Sequence, residues 1–217
     1  MKKAFAIITV AAAMFFAGNA HAQMGINFGY APQTITTVSN TNDTLNLNGM
    51  FLGVNCNLPI TNGLCVSVGV QGRYNFMSEK STLDLGILGS AEATADYSQM
   101  LVDVPLLLNY GKALNKDVKY SIFVGPTLSY ALFGKTKWTG SASVLSFLNL
   151  GTDGEDDWYE DSDKYNKFNV SGTAGLSFNV KGIRLFGGYN MGLVNLSTAD
   201  NTTRKANNWF VGLGYAL

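Results

Sequence analysis

The sequence predicts an all-β fold: an eight-stranded antiparallel up-and-down transmembrane β-barrel. Three observations predict it. Apolar and polar residues alternate with period two through eight segments. Those segments are almost free of charge, their only charged residues being Arg73, Asp103 and Arg184. The connections between them alternate short and long, as strands running up and down across a membrane require. Composition agrees. Of 217 residues 24 are Gly and 13 are Phe, with 47% hydrophobic and only 14% charged, which excludes a disordered chain. Lys plus Arg number 15 and so do Asp plus Glu, a balance that leaves no electrostatic footprint for nucleic acid. Beyond the N-terminus no run of about 20 apolar residues exists, which excludes a helical membrane bundle.

The elements follow in chain order. Lys2 and Lys3 precede an apolar run at 4–18, and Ala20-His21-Ala22 fits the small-x-small cleavage rule. Residues 1–22 therefore read as a cleaved signal peptide and 23–217 as the barrel domain. The strand segments are 24–35, 45–57, 64–76, 99–110, 120–133, 168–180, 183–196 and 207–217. In 64–76, Leu64, Val66, Val68, Val70, Tyr74 and Phe76 share one face, opposite Cys65, Ser67, Gly69, Gln71, Arg73 and Asn75. Segment 168–180 sets Phe168, Val170, Ala174, Leu176, Phe178 and Val180 against Asn, Ser, Thr and Gly. The last segment sets Trp209, Val211, Leu213, Tyr215 and Leu217 against Asn208, Phe210, Gly212, Gly214 and Ala216. In 45–57 the apolar phase shifts: Leu45 and Leu47 take one parity, Met50, Leu52 and Val54 the other, which predicts a bulge near Gly49. Turns at 58–63, 111–119 and 181–182 are short and read as periplasmic. Connections at 36–44, 77–98, 134–167 and 197–206 are longer and read as extracellular loops.

The polar face is small and uncharged, which suits a crowded barrel interior, whereas a water-facing strand surface carries Lys and Glu. The aliphatic face suits lipid. Tyr30, Tyr74, Phe76, Tyr110, Tyr120, Tyr130, Tyr189, Trp209 and Tyr215 fall near segment ends or on the apolar parity, as candidates for interfacial aromatic girdles. Phe123, Phe133, Phe186 and Phe210 fall on the polar parity and are expected to plug the interior.

Three short motifs carry a family resemblance: Val104-Pro105-Leu106 leading to Tyr110, then Phe123-Val124-Gly125-Pro126, then Gly188-Tyr189-Asn190-Met191-Gly192-Leu193. In their order and spacing the chain resembles the small outer-membrane β-barrel, or porin-family, proteins of Bacteroidota-type Gram-negative bacteria. That resemblance implies a cell-envelope location in the outer membrane, with no pore implied by the family name. One departure is the final residue, Leu217 in place of a terminal aromatic, with Tyr215 keeping the aromatic parity.

Chemistry is constrained by what is missing. The single histidine, His21, lies in the leader, so 23–217 has no His for a general base, a Ser-His pair or a His-bound metal. Asp103 is the one carboxylate within the strand segments, so an interior carboxylate pair is absent. The expectation is no enzyme and no cofactor. Arg73 and Asp103 share the polar parity of consecutive strands at equal distances from the loop between them, so they are expected to face each other as an interior ion pair. It reads either as a structural salt bridge or as a gate. Cys56 and Cys65 flank a turn, and in an oxidising periplasm a disulfide and two free thiols both stay open. Seven acids crowd 153–163, and Asp153, Glu155 and Asp157 are weak candidates for a Ca²⁺ site beside the plainer reading of a solvated charge run. The function expected is a structural, docking or adhesion barrel, with a narrow channel for ions or small solutes as the alternative. Expected partners are outer-membrane lipid and lipopolysaccharide, the outer-membrane assembly machinery, and an extracellular or envelope protein met through loops 77–98 and 134–167.

Overall fold

The computed structural model describes residues 23–39, 42–84, 89–144, 148–159, 165–199 and 201–217; the expected signal peptide, 1–22, lies outside them. Ten strands follow in order: β1 (Gln23–Tyr30), β2 (Gln33–Val38), β3 (Asn42–Thr61), β4 (Leu64–Asp84), β5 (Gly89–Ala113), β6 (Val118–Val144), β7 (Leu148–Asp157), β8 (Phe168–Val180), β9 (Ile183–Gly192) and β10 (Thr203–Ala216). All pairings are antiparallel, and the barrel wall has eight strands. β1 and β2 are two halves of the first, since both pair with β3 on one side and β10 on the other. β10 also pairs with β9, which closes the ring. Closure leaves the wall without an open edge, which hydrocarbon demands.

Pro32, which has no N–H to give, splits the first wall strand. Its neighbour Ala31 keeps the ladder by donating N–H to Gly49 O at 2.8 Å. A side chain at Gly49 would strike the Ala31 carbonyl, so only glycine allows that approach. The bulge expected at Gly49 is not there. β3 and β4 stay in register from Asn48–Phe76 to Pro59–Cys65, and the odd residues of β3 face inward throughout. The apolar phase shift has another cause. Below Gly49, Met50, Leu52 and Val54 face outward into lipid. Above it, Leu45 and Leu47 face inward and pack in an apolar cluster at the extracellular end. The pattern inverts where the lipid stops and an apolar cap begins.

Outward-facing Ile26, Phe28, Leu52, Val54, Ile122, Val124, Leu176, Leu185, Val211 and Leu213 are all exposed on the isolated chain. So large a continuous apolar surface is stable only against lipid. Inward-facing positions bury Asn27, Asn55, Asn75, Asn109, Asn169, Asn190 and Asn208. The aromatic candidates face outward. Tyr110, Tyr120 and Tyr215 sit at the short-turn end. Tyr30, Tyr74, Phe76, Tyr130, Tyr189 and Trp209 sit toward the other end, with Tyr30 edge-on to Trp209 at 5.5 Å and Tyr74 stacked on Phe76 at 5.9 Å.

Three further expectations are corrected. The long connections 77–98 and 134–167 are largely strand: β4 and β5 pair out to Asp84–Ser90, and β6 pairs with β7 from Lys135–Asp157 to Val144–Leu148. Their Ser, Thr and charged residues hid them from a test built on half-apolar strands, because beyond the membrane both faces meet water. Second, β9 ends at Gly192 and not at 196, and Leu196 turns inward to join the cap. Third, Phe133 does not plug the interior. The β5–β6 register slips between Met100 and Leu101, the parity of β6 flips, and Phe133 faces outward.

Candidate functional site

The interior is filled in layers, and its centre is charged. Arg73 on β4 lies opposite Leu101, and Asp103 on β5 lies opposite Gln71, so the two meet on a diagonal. Arg73 Nε donates to Asp103 Oδ2 at 2.9 Å and Nη2 to Oδ1 at 3.3 Å, a forked pair with side chains 5% and 1% exposed. The direct opposition expected from the loop edges is off by two residues, with Gln71 and not Arg73 standing opposite Asp103. A buried pair needs further partners to offset desolvation. Arg73 Nη1 donates to Gln33 Oε1 at 2.9 Å, and Asn75 Nδ2 donates to Gln33 Oε1 and Gln99 Oε1 at 2.9 and 3.0 Å. Gln99 Nε2 in turn donates to the Tyr159 hydroxyl at 2.8 Å.

That last bond ties the network to an aromatic strap over the extracellular mouth, formed among the described residues by Trp158, Tyr159 and Tyr165. Trp158 N–H donates to Gly134 O at 2.8 Å and its indole Nε1–H to Thr136 Oγ1 at 2.7 Å. Its ring stacks on Tyr165 at 5.5 Å, and the Arg204 guanidinium lies 3.9 Å from the centre of the Tyr165 ring. Trp158 packs with Ile35, Leu47, Leu196 and Ala206 to form the apolar cap. Burial pushes the Tyr159 phenol up to about 12 and raises that of Tyr165 as well.

Toward the short-turn end, Ala31, Phe51, Phe123 and Phe186 form a second apolar cluster, with Leu107 and Phe210 packed on it. Phe123 stacks on Phe210 at 6.2 Å and Phe51 meets Phe186 at 6.0 Å. Beside it runs a polar chain, Thr127 to Thr173 to Asn190 to Asn208, with contacts of 2.6, 2.7 and 3.1 Å. The space left in this part of the lumen, running from Arg73 and Asp103 past the phenylalanines to Asn27 and Arg184, is about 60 Å³. That volume holds a few waters and no solute.

Cys56 and Cys65 are free thiols, which corrects the disulfide alternative. Cys56 lies opposite Val68 on the outward parity, and Cys65 lies opposite Pro59 on the inward parity. Thiols on opposite faces of the wall cannot bond. The acidic candidates are also placed differently. Glu155 is bound by Lys135 and Lys137, and those hydrogen bonds hold its carboxyl below the ordinary value. Asp157 accepts the N–H of Tyr159 at 2.9 Å, and Asp153 is exposed on β7. Among the described residues no three His, Cys, Asp or Glu side chains come together to hold a metal; Glu160, Asp161 and Asp163 lie outside them. Sequence reasoning missed Gln33, Asn75, Gln99, Phe51 and the strap aromatics. The amides were signalled by inward parity next to Arg73, but nothing local places Tyr159 above Gln99, 60 residues away.

Residues 16–198 match the family described as Outer membrane protein beta-barrel domain. No curated protein matches the chain in sequence. Among solved structures the chain is similar to Ail, the attachment invasion locus protein of Yersinia pestis, in complex with the heparin analogue sucrose octasulfate. That match has 17% identity and a TM-score of 0.37, covering 90% of this chain and 99% of that one. Neisserial surface protein A matches at 12% identity and a TM-score of 0.43, covering 89% and 97%. The outer membrane enzyme PagL matches at 8% identity and a TM-score of 0.34, covering 85% and 98%. At these scores none of the three informs function.

Proposed function

The chain belongs to the outer membrane protein β-barrel domain family, and from that premise we propose that it is a closed, non-conducting and non-enzymatic anchor. Its role on this reading is to hold a projecting extracellular sheet and present it to a protein partner. One observation carries the reading: the interior is filled from the Trp158 cap through the Arg73–Asp103 network to the phenylalanine plug, while β4, β5, β6 and β7 run on above the wall. The filled lumen argues against a channel, and the four-stranded extension supplies a surface that an anchor would display. The extension has two open edges among the described residues. β4 has no partner beyond Phe76 on the side away from β5, and β7 pairs with β6 alone. Such edges accept an added strand.

The non-enzymatic part rests on inventory. Asp103, the one acid buried in the lumen among the described residues, is already committed to Arg73, and 23–217 contains no histidine. The remaining partners belong to this reading too: lipopolysaccharide around the outer leaflet end of the wall, and the assembly machinery at the β10 end. The three motifs named above support placing the chain with the Bacteroidota-type barrels.

The test is single-channel recording of the folded barrel in a planar bilayer, with folding checked by heat-shifted gel migration. The expected record is flat. Discrete, reproducible steps would overturn the closed-anchor reading in favour of a narrow channel.

A further inference from the structure

The short-turn end of the lumen is open, and its charge is one-sided. Below the phenylalanine plug lies a vestibule of about 390 Å³, lined by Asn57, Cys65, Asn109, Lys119, Asn179 and Arg184 among others. No carboxylate lines it among the described residues. Arg184 differs from Arg73 in one respect. Arg73 has Asp103, whereas Arg184 has no acid within ion-pair distance among the described residues. Its Nη2 donates to Asn27 Oδ1 at 3.1 Å, and its guanidinium packs 4.7 Å from the centre of the Phe186 ring. Aromatic packing restrains the fork, and its one hydrogen bond leaves donors free where Arg184 lines both the vestibule and the narrow space beside the plug.

The register adds a second cation. Lys119 pairs with Asn179, and Asn179 pairs with Arg184, so the three stand side by side on β6, β8 and β9. All three take the inward parity of their strands. Two cations therefore flank one amide on the vestibule wall. Low-dielectric walls with one sign of charge focus the field and concentrate counter-ions. A guanidinium fork held flat is suited to the two coplanar oxygens of a phosphate or carboxylate.

We propose that this vestibule is an oxyanion-binding site open to the periplasm, with Arg184 as the principal ligand and Lys119 as the flanking charge, taking phosphate-type groups. The lumen wall separates it from the surrounding lipid, which favours a dissolved anion over a headgroup. The site is independent of whether the barrel conducts or docks a partner.

Cys65 lines the same vestibule and serves as a reporter. In a Cys56→Ser background, the folded protein is treated with an anionic and a cationic methanethiosulfonate reagent of equal size. Each rate is divided by that for a free thiol in solution. The ratio of the two rates cancels the thiolate fraction of Cys65. At low ionic strength the anionic reagent is expected to be favoured by about tenfold or more. Lys119→Gln, at an exposed position, is expected to lower the ratio, and Arg184→Gln to lower it further, with Lys112 and Lys119 keeping it above one. Equal rates in the Cys56→Ser protein, or a faster cationic reagent, would overturn the proposal. Inorganic phosphate is then titrated at constant ionic strength against chloride. Saturable protection of Cys65 that is lost in Arg184→Gln identifies a site; protection no greater than with chloride reduces it to a diffuse field and overturns it. Protection without added phosphate, in phosphatidylglycerol and not phosphatidylcholine membranes, assigns the bound oxyanion to a lipid headgroup. If Arg184→Gln fails to fold, the Lys119→Gln ratio and the phosphate titration decide alone.

Discussion

Asp103 is 1% exposed and balances a guanidinium that is 5% exposed, so removing either charge strands the other inside the wall. Replacing Asp103 with Asn is expected to cost about 3–5 kcal/mol in urea unfolding from micelles, the usual range for a broken buried pair. The double variant Arg73→Gln, Asp103→Asn is expected to recover most of that loss, since it leaves amides with partners in place of an orphan charge. Equal losses in the single and double variants would show that the pair contributes nothing as a pair. Tyr159 supplies a pH dependence. Burial raises its phenol to about 12, so the docked strap holds the proton more tightly than the undocked one. Its contribution is therefore complete below the ordinary tyrosine value of about 10 and is lost as pH rises from about 10 to about 12. Protease cleavage of the strap should accelerate across that window and lose the dependence in Tyr159→Phe. Both ends of the ion pair were legible in the sequence, because charge is rare in the strands and parity puts both inside. The strap was not, because its contacts join residues remote in sequence.

At the scale of the element, the extracellular hairpins separate from the wall. Among the described residues β7 pairs with β6 alone, so the ring is complete without it. Deleting 138–155 is expected to leave the heat-shifted folded band intact. A photo-crosslinking residue at Asp153, exposed on β7, is expected to trap a protein partner on whole cells, and the same residue at Lys116 in a short turn is not. Loss of the folded band on deletion would make the hairpin part of the barrel's stability and not a displayed surface. The membrane-spanning parts of the strands were readable because lipid on one side and packed amides on the other impose period two. Beyond the lipid that asymmetry ends. β4 past Phe76 and β6 past Gly134 carry Ser, Thr, Lys and Glu on both faces, so the same test reads them as loop. The inversion at Leu45 and Leu47 has the same origin, with apolar side chains turning inward once lipid no longer rewards facing out.

Across the whole molecule, closure is a property of three stacked layers, and each can be opened separately. The cap depends most on Trp158, 4% exposed and in ring contact with Tyr97 and Tyr165. Replacing it with Ala is expected to remove the upper seal and expose the Arg73–Asp103 layer to extracellular water. The barrel should still record as silent in a planar bilayer, because the layer of Phe51, Phe123, Phe186 and Phe210 remains. Conductance in Trp158→Ala alone would show that the cap is the single gate and that the lower plug is leaky.

The sequence by itself determined the number of wall strands, their direction, which face meets lipid and which residues carry the buried charge. These follow from a local period and from the scarcity of charge, and both are written in every strand. Tertiary structure alone decided the diagonal meeting of Arg73 and Asp103, the outward turn of Phe133, and the strap that seals the mouth. Each depends on register between strands or on contacts between distant residues. Pairings that differ by two residues keep the same alternation, so the alternation that reveals the strands cannot distinguish them, and the one-residue slip beside Phe133 shows only against the neighbouring strand.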